Sequence, residues 1–295
     1  MNNLDFNKIL SKELNNTINN KYVLLGVPKH MNLGDTLIWE SETQILDSIN
    51  KERCSTYFFN TNPNDIAINK DTIIVWTGGG YFSDVWGGTL KYIENILTKF
   101  KDNKHIFLPN SVFFNNENNL ISINNVLKQC NNEIIIYSRE LQSYKQTFKL
   151  ENITNVLMPD VVLGWDIDKY IKEQNIKNIT GKDILYISRN DREKLQGSDF
   201  EFNIKSDWPA LINKPNYVKY SLDINAWEKY VKPLLVNDSI NFIMPYNKIY
   251  SDRMHGAILS WLLNKETILI DNSYHKSKSL YDTWLKENNN IALYE

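Results

Sequence analysis

The fold is decided by the stretch Thr72-Ile73-Ile74-Val75-Trp76-Thr77, which runs directly into Gly78-Gly79-Gly80. The β-branched and aromatic residues of Thr72–Thr77 are typical of a strand that is buried on both faces of a sheet. Leu90–Phe100 then shows helical spacing, and His105–Leu108 is another apolar run, which we expect Pro109 to end. Strand, helix and strand in this order predict a βαβ unit and therefore a parallel sheet.

The same alternation extends in both directions along the chain. The other predicted strands are Tyr22–Val27, Ser55–Phe59 (also buried on both faces), Glu133–Tyr137, Asn155–Met158, Asp183–Ser188, Ser239–Met244, Glu266–Ile270 and Ile291–Leu293. The other predicted helices are Asp35–Asn50, Leu120–Cys130, Glu140–Lys149, Asp168–Gln174, Asn225–Leu235, Arg253–Leu263 and Ser279–Glu287. Gln196–Pro215 has no clear period and predicts a long loop. We therefore expect an α/β protein with two Rossmann-like parallel-sheet domains, residues 1–165 and 166–295, facing each other across a cleft.

Composition narrows the class of protein. The chain has 295 residues, of which 33 are basic and 35 acidic, and its net charge of -2 without a basic block argues against a nucleic-acid binder. Cys54 and Cys130 are predicted to be buried thiols in a reducing compartment. Met1–Asn20 lacks the features of a secretory signal, and no apolar run approaches the roughly 18 residues that span a bilayer. A cytoplasmic protein is expected, with loose membrane association left open.

In the first half, polar motifs follow the predicted strands, where ligands collect in such folds. Gly34 lets the backbone approach a ligand before a helix start, and Asp35 is equally well interpreted as the helix cap or as a functional carboxylate. Gly78-Gly79-Gly80 indicates either close packing against a ligand or a tight turn before a helix. Asn110 and Ser111 offer hydrogen bonds to a ligand, although a proline-bearing turn is the better explanation of this stretch when it is taken alone. Arg139 offers a forked donor to an anion, the alternative being a surface ion pair.

The second half carries the most informative motif, Ser251-Asp252-Arg253-Met254-His255-Gly256. Ser251 or Asp252 is expected to cap the following helix. Arg253 and His255 then lie in its first turn, where cations are unfavourable to the helix dipole, so a compensating anionic ligand is predicted. Arg189 follows the preceding strand in the same way, and Asp271–Lys276 offers further polar groups.

These motifs resemble those of the polysaccharide pyruvyl transferase family. The resemblance runs from about Val23 to Lys276 and rests on motifs that occur in the family's order: Asn32-Leu33-Gly34-Asp35, Gly78-Gly79-Gly80, Leu108-Pro109-Asn110-Ser111, Ser138-Arg139-Glu140, Pro159-Asp160, Ser251–Gly256 and Asp271–Tyr274. Met254 stands where the family usually has Leu, Asn110 where it has Gln, and His275 where Gly is common.

The resemblance implies a GT-B-like fold and a transferase that uses phosphoenolpyruvate to form a pyruvate ketal on a sugar of a cell-surface or exopolysaccharide glycan, as in a capsule or cell wall. It also implies that Arg253, His255 and Arg139 bind the donor, and no cofactor or metal is expected. We expect His255 to act as the general acid and Asp35 as the base. Expected substrate contacts come from Arg253, Arg139, Arg189, Asn32, Gly79, Gly80, Asn110, Ser111, Ser251, Met254, Asn272, Ser273 and Tyr274.

Two other interpretations stay open at the level of sequence. The first is a glycosyltransferase of GT-B type that uses a nucleotide sugar. The second is a glycan-binding protein without catalysis, for which Tyr81, Trp86 and Trp208 would offer stacking surfaces, although core packing is the better explanation for most of them. The acceptor sugar, whether it is lipid-linked, and the oligomeric state are not determined by the sequence.

Overall fold

A computed structural model describes residues 1–179, 181–191, 193–195, 204–208 and 223–294. The chain divides into two compact units. The N-terminal unit comprises Lys8–Lys29 and Glu42–Val161, and the C-terminal unit comprises Met1–Asn7, His30–Ser41 and Val162–Glu295. The domain ranges 1–165 and 166–295 stay a prediction, since compact units of this kind need not be independently folding domains.

A parallel sheet forms the centre of the N-terminal unit. Its strands are β1 (Tyr22–Val27), β2 (Arg53–Phe58), β3 (Ile73–Trp76), β4 (Gly79–Ser83), β5 (His105–Phe113), β6 (Ile134–Ser138) and β7 (Thr154–Leu157). The strand order is β2-β1-β3-β5-β6-β7, and β4 pairs with β5. All residues of β1 and β3 are buried, as the apolar runs predict. The parallel α/β class is therefore confirmed for this half of the chain.

The first helices of the chain lie at Asn3–Thr17 (α1), Leu33–Ser48 (α2), Thr89–Lys99 (α3), Glu117–Leu127 (α4) and Leu141–Thr147 (α5). The helix α1 is not evident from the sequence, because its buried face has only one apolar residue in each turn. Phe6, Leu10 and Leu14 form that face and are fully buried. Their spacing of four residues is helical, but the polar residues between them hide the pattern.

Two predictions about the burial of the edge strand β2 are wrong. Its run was expected to be buried on both faces, yet its residues are half-buried or exposed, and Cys54 is exposed. Among the described strands β2 pairs with β1 alone, so one edge is left without a strand neighbour. Cys130 is buried, as predicted.

The strand β5 corrects the expected role of Pro109, because it continues through the proline as far as Phe113. Pairing with β3 ends at Phe107, and pairing with β4 begins at Asn110. On the opposite side, the register with β6 shifts between Phe107 and Asn110. Pro109 has no N–H to donate and is tolerated in a strand at such an irregularity. Gly79 and Gly80 are consequently part of a strand and do not form a turn.

The C-terminal unit contains a second parallel sheet. Its strands are β8 (Lys182–Ile187), β9 (Lys205–Ser206), β10 (Tyr246–Ser251), β11 (Glu266–Leu269) and β12 (Ile291–Leu293), in the order β12-β11-β10-β8-β9. Its helices are α6 (Ile167–Glu173), α7 (Lys232–Ile243), α8 (Met254–Leu262) and α9 (Lys276–Leu280). Helical turns at Ile224–Ala226 and Trp227–Val231 precede α7, and Tyr281–Leu285 follows α9. Among the described residues, no helix is long and apolar enough to cross a membrane.

The predicted strand Ser239–Met244 is wrong, because these residues belong to the end of α7. Leu235, Val236, Ser239, Ile240 and Ile243 are all buried, and their spacing is that of one helix face. The strand begins at Tyr246 and ends at Ser251, immediately before α8. Of the predicted loop Gln196–Pro215, Lys205–Ser206 pairs with β8, whereas residues 196–203 and 209–215 lie outside the described part of the chain.

Candidate active site

The start of α2 is capped by Asn32 and not by Asp35. The Asn32 Oδ1 accepts a hydrogen bond from the backbone N–H of Gly34 at 3.0 Å, which satisfies a free donor of the helix start. Its Nδ2 donates to Oδ2 of Asp35 at 2.9 Å. Asp35 lies in the first turn, and its Oδ2 is 3.5 Å from Nε2 of His30. The Asp35 carboxylate, 35% exposed, is therefore open to water and not needed as the cap.

Gly34 and His255 approach each other closely within the C-terminal unit. A Cβ atom at Gly34 would lie 2.8 Å from Nδ1 of His255, closer than real Cβ contacts. Only glycine leaves room for the imidazole at this place. The structure thus brings His255 and the Asn32–Asp35 segment together, although they are far apart in sequence.

The motif Ser251–Gly256 joins β10 to α8. Ser251 is the last residue of the strand and is fully buried. Its Oγ donates to the carbonyl of Arg253 at 2.8 Å and lies 3.2 Å from the Arg253 backbone N–H. Arg253 itself occupies the cap position, so the expectation that Ser251 or Asp252 caps the helix is wrong. His255 lies in the first turn and is half-buried, whereas Met254 is buried in the core.

Gly256 explains the tightness of this junction. A Cβ atom there would lie 2.6 Å from Oγ of Ser251 and 3.2 Å from Cδ1 of Ile187. A side chain would therefore push α8 away from the strand ends.

The guanidinium of Arg253 is held by two carboxylates. Its Nε and Nη2 donate to Asp207 at 2.9 and 2.7 Å, and its Nη1 is 2.8 Å from Oδ2 of Asp191. Burial alone would lower the Arg253 pKa, but Asp207 and Asp191 outweigh burial and raise it. The cation at the helix start is thus already compensated within the chain, which corrects the expectation that a ligand is needed for this purpose.

Arg189 and Glu193 link the loop after β8 to the loop after β11. Arg189 contacts Asp191 through Nε at 3.0 Å and Glu193 through Nη2 at 2.6 Å. Glu193 also accepts from the hydroxyl of Tyr274 at 2.5 Å and from Nζ of Lys276 at 2.7 Å. Burial opposes the charged form of Glu193, but Lys276 and Arg189 outweigh it and lower its pKa to about 2.

The segment after β11 is fixed by hydrogen bonds within itself and to Glu193. Asn272 is fully buried, and its Oδ1 accepts from the backbone N–H of Lys276 at 2.9 Å. The backbone N–H of Ser273 donates to the carbonyl of Glu193 at 3.0 Å, and the Ser273 side chain is exposed. Asn272 and Tyr274, predicted to contact substrate, thus have partners inside the protein.

Asp252 is a buried acid that is hydrogen-bonded to the backbone of Arg189. Its Oδ1 accepts from the backbone N–H of Arg189 at 2.5 Å, and its Oδ2 from the hydroxyl of Tyr186 at 3.0 Å. Burial raises its pKa to about 6, despite these hydrogen bonds. Asp252 is therefore largely protonated in mildly acidic solution.

The N-terminal unit contains a separate cluster around Arg139. Its Nε donates to Oγ of Ser111 at 2.8 Å and its Nη1 to Oδ2 of Asp160 at 2.8 Å, while Glu140 lies 3.6 Å from Nε. The side chains of Arg139, Asp160 and Glu140 are at most 2% exposed. Arg139 is therefore an interior group and not a surface ion pair.

The remaining predicted residues of this unit hold the strand ends together. Asn110 is fully buried and donates to the carbonyls of Thr77 and Leu108 at 3.1 and 2.9 Å. Glu42, which sequence analysis missed, accepts from the Thr77 hydroxyl at 2.7 Å and from the Gly78 backbone N–H at 3.0 Å. In the sequence, Glu42 could have been recognised as an acid at a position where the helical spacing predicts a buried residue.

Other groups missed from the sequence are the acids that surround the arginines. Glu193 and Asp207 carry no motif, and only the fold brings them to Arg189 and Arg253. Trp208, a candidate for stacking on a sugar, is buried. Within the described ranges, no group of three or more His, Cys, Asp and Glu side chains is arranged to hold a metal ion.

The fold and site together define a parallel α/β protein with two Rossmann-like sheets and polar clusters at the strand ends. The family model of polysaccharide pyruvyl transferase matches residues 32–274, so the chain belongs to this family. The match includes the Asn32–Asp35 segment and the Ser251–Gly256 motif.

Two of three similar proteins carry names that agree with this family. The chain is 27% identical to EpsO of Bacillus subtilis (strain 168), provisionally named a pyruvyl transferase, over 88% of this chain and 84% of EpsO. It is 25% identical to pyruvyl transferase 1 of Schizosaccharomyces pombe, over 90% of this chain and 70% of that protein. General stress protein 30 of Bacillus subtilis is also 25% identical, over 92% of this chain and 80% of that protein.

A solved structure is similar in fold. A functionally uncharacterised protein of Klebsiella pneumoniae superposes with a TM-score of 0.68 at 18% identity, covering 100% of both chains. At this identity the likeness supports the fold alone.

Proposed function

We propose that the protein transfers the enolpyruvyl group of phosphoenolpyruvate to a sugar of a bacterial cell-surface or exopolysaccharide glycan and forms a pyruvate ketal. The observation that carries the proposal is the close approach of His255, next to Arg253 at the start of α8, to Gly34 beside Asp35. The C-terminal unit thus contains the imidazole of His255, the partly exposed carboxylate of Asp35 and the guanidinium of Arg253. The chain that carries these groups belongs to the polysaccharide pyruvyl transferase family.

The reaction needs two proton transfers in its first half. A sugar hydroxyl attacks C2 of phosphoenolpyruvate and loses its proton to a base, while the methylene carbon C3 gains a proton from an acid. The oxygen forms its bond to C2 as the C2–C3 double bond becomes single. In the proposal Asp35 is the base and His255 is the acid.

Phosphate leaves in the second half. The bond between C2 and the phosphate oxygen breaks, a second hydroxyl of the same sugar bonds to C2, and its proton is lost. In the proposal His255, which has given its own proton to C3, takes up the proton of the second hydroxyl and passes it to the departing phosphate. The product is a ketal in which both sugar oxygens are bonded to C2.

The donor's two anionic groups require cations. Arg253 and Arg189 offer guanidinium forks that match a carboxylate or a phosphate. Arg139 remains in the proposal on the family resemblance alone, because its guanidinium would first have to give up Asp160. Further contacts from Asn32, Asn272 and Tyr274 are retained as proposals.

The setting of the reaction belongs to the same proposal. We propose that the reaction takes place in the cytoplasm or at the inner face of the membrane. The acceptor is a sugar, and a lipid-linked oligosaccharide is one candidate. The GT-B-like arrangement implied by the family resemblance is retained with it, as is the expectation that no cofactor is needed.

The test is incubation with phosphoenolpyruvate and a panel of sugar acceptors, following phosphate release and the mass added to the sugar. His255→Ala and His255→Gln should each lower turnover by about 10²-fold or more, because a positioned acid is lost. Lys278→Ala, at an exposed ion pair with Asp282, is the matched surface control and should keep full activity.

Two results would contradict the proposal. The first is near-normal turnover of both His255 variants, which would remove His255 from the mechanism. The second is a rise in melting temperature with a UDP-sugar but none with phosphoenolpyruvate, which would favour a nucleotide-sugar donor.

A further inference from the structure

One half-exposed carboxylate, that of Asp191, is shared by the two arginines of the C-terminal unit. Its Oδ2 lies 2.8 Å from Nη1 of Arg253, and its Oδ1 accepts from Nε of Arg189 at 3.0 Å. The same Oδ1 accepts from the backbone N–H of Glu193 at 3.0 Å. Asp191 thus makes the contacts that a carboxylate or phosphate of a ligand would make with two guanidinium groups.

The acids around the arginines differ in their access to water. The side chain of Asp191 is 32% exposed, that of Asp207 is 9% exposed and that of Glu193 is 2% exposed. Asp207 occupies the Nε and Nη2 edge of Arg253, and Glu193 is bound by Lys276 as well as by Arg189. Asp191 is therefore the acid that water reaches most, so its carboxylate can be solvated most readily when it turns away from the arginines.

Asp191 is charged throughout the neutral range. Burial by itself would raise its pKa, but Arg189 and Arg253 outweigh burial and lower it. Because Asp191 is not protonated at neutral pH, an anion that binds the arginines must displace its charged carboxylate.

We propose that Asp191 is an internal competitor for the substrate anion, occupying its place on Arg189 and Arg253 and setting its affinity. The inference rests on the proposed function, because it takes these two arginines as the donor's binding groups. Displacement exchanges ion pairs and forms no covalent bond. The protein consequently binds its anion more weakly than the two arginines alone would, which favours release of phosphate after the reaction.

The experiment measures dissociation constants of inorganic phosphate and of phosphoenolpyruvate by calorimetry. Asp191→Asn keeps the shape of the side chain and the contacts of Oδ1 but removes the competing charge. It should bind inorganic phosphate about fivefold more tightly than the wild type, since a partly exposed ion pair is removed. Asp191→Ser, which shortens the side chain, should show the same direction if the asparagine variant folds poorly.

Two controls separate displacement from a general change in charge. Asp191→Glu keeps the negative charge and should bind phosphate no more tightly than the wild type. Asp282→Asn removes one charge from an exposed pair with Lys278 and should leave phosphate binding unchanged.

The outcomes distinguish this inference from the proposed function. Unchanged or weaker phosphate binding by Asp191→Asn, or an equal gain in Asp282→Asn, overturns the role of Asp191 even if phosphoenolpyruvate binds. Tighter phosphate binding by Asp191→Asn without any binding of phosphoenolpyruvate supports the anion site and contradicts the proposed donor.

Discussion

The arginine clusters of the two units differ in how far water reaches them. In the N-terminal unit, the side chains of Arg139 and Asp160 are 2% and 1% exposed, whereas in the C-terminal unit those of Arg253 and Asp191 are 14% and 32% exposed. A fully buried pair is costly to separate, because water cannot solvate the charges that are left. A partly exposed pair can exchange its partner for a ligand. The same residue type at a strand end is therefore fully enclosed in one unit and partly open to water in the other.

Replacing Arg139 with Met should give the largest loss of stability. The carboxylates of Asp160 and Glu140 would keep their burial but lose this cation. The free energy of unfolding should fall by about 3–5 kcal/mol, measured by denaturant unfolding followed through tryptophan fluorescence.

The matched variant is Arg253→Met, which removes a guanidinium that water partly reaches. It should lower the free energy of unfolding by about 1–2 kcal/mol, because water already reaches part of Arg253 and of its partner Asp191. Equal losses in the two variants would show that burial does not distinguish the clusters.

The acids beside the exposed cluster should respond to pH in opposite ways. The Asp252 pKa of about 6 lies above the value of about 3.9 in an unfolded chain, so the folded state binds more protons between these values. Asp252 therefore contributes to the free energy of unfolding at low pH. This contribution falls by roughly 2–3 kcal/mol as the pH rises from about 4 to about 6. Asp252→Asn, which is neutral at every pH, should lack this fall when unfolding is measured across that range.

Glu193 gives the opposite sign. Its pKa is lowered to about 2, so its contribution to the free energy of unfolding is present above the unfolded pKa of about 4.3 and is lost as the pH falls toward 2.

An Asp252→Asn variant that still loses stability between pH 4 and 6 as the wild type does would contradict the assignment to Asp252.

Gly34→Ala should have the smallest effect on stability while displacing His255. The added Cβ would lie 2.8 Å from the imidazole Nδ1, so the ring must shift. If the proposed function holds, turnover should fall about tenfold to a hundredfold, since small misplacements of a reacting group are costly. The His255 ring resonances in NMR spectra should move as well, which tests the contact without an activity assay.

Gly87→Ala is the control for this variant, because a Cβ there meets no atom within 4 Å. Both variants should unfold within about 1 kcal/mol of the wild type. Unchanged His255 resonances in Gly34→Ala would remove the steric argument.

Much of the parallel fold was predictable because buried strands carry continuous apolar runs. Tyr22–Val27 and Ile73–Trp76 appear within a residue of their predicted positions. Ser239–Met244 was mistaken for a strand, since a short apolar run at the end of a helix has no period of its own. Pro109 was mistaken for a strand end, because the irregular pairing that accommodates it involves β4, a strand the sequence did not reveal.

The candidate site was predictable only in part. Arg253, His255 and Gly34 stand out because their residue types are unusual at a helix start or junction. The acids Glu193 and Asp207 do not stand out, since a lone carboxylate in a loop most often faces water. Asp191 was visible next to Arg189, but nothing local indicates that it also reaches Arg253.

The α/β class, the strand-end motifs and the family they resemble can be inferred from the amino-acid sequence, because they depend on local apolar patterns and on the order of residue types. Which charges meet depends on how the chain folds. Arg139 is enclosed by Asp160 and Glu140, whereas Arg253 shares the half-exposed Asp191 with Arg189. Electrostatic energy depends on distance and on access to water, and both are set by packing between segments that lie far apart in the chain.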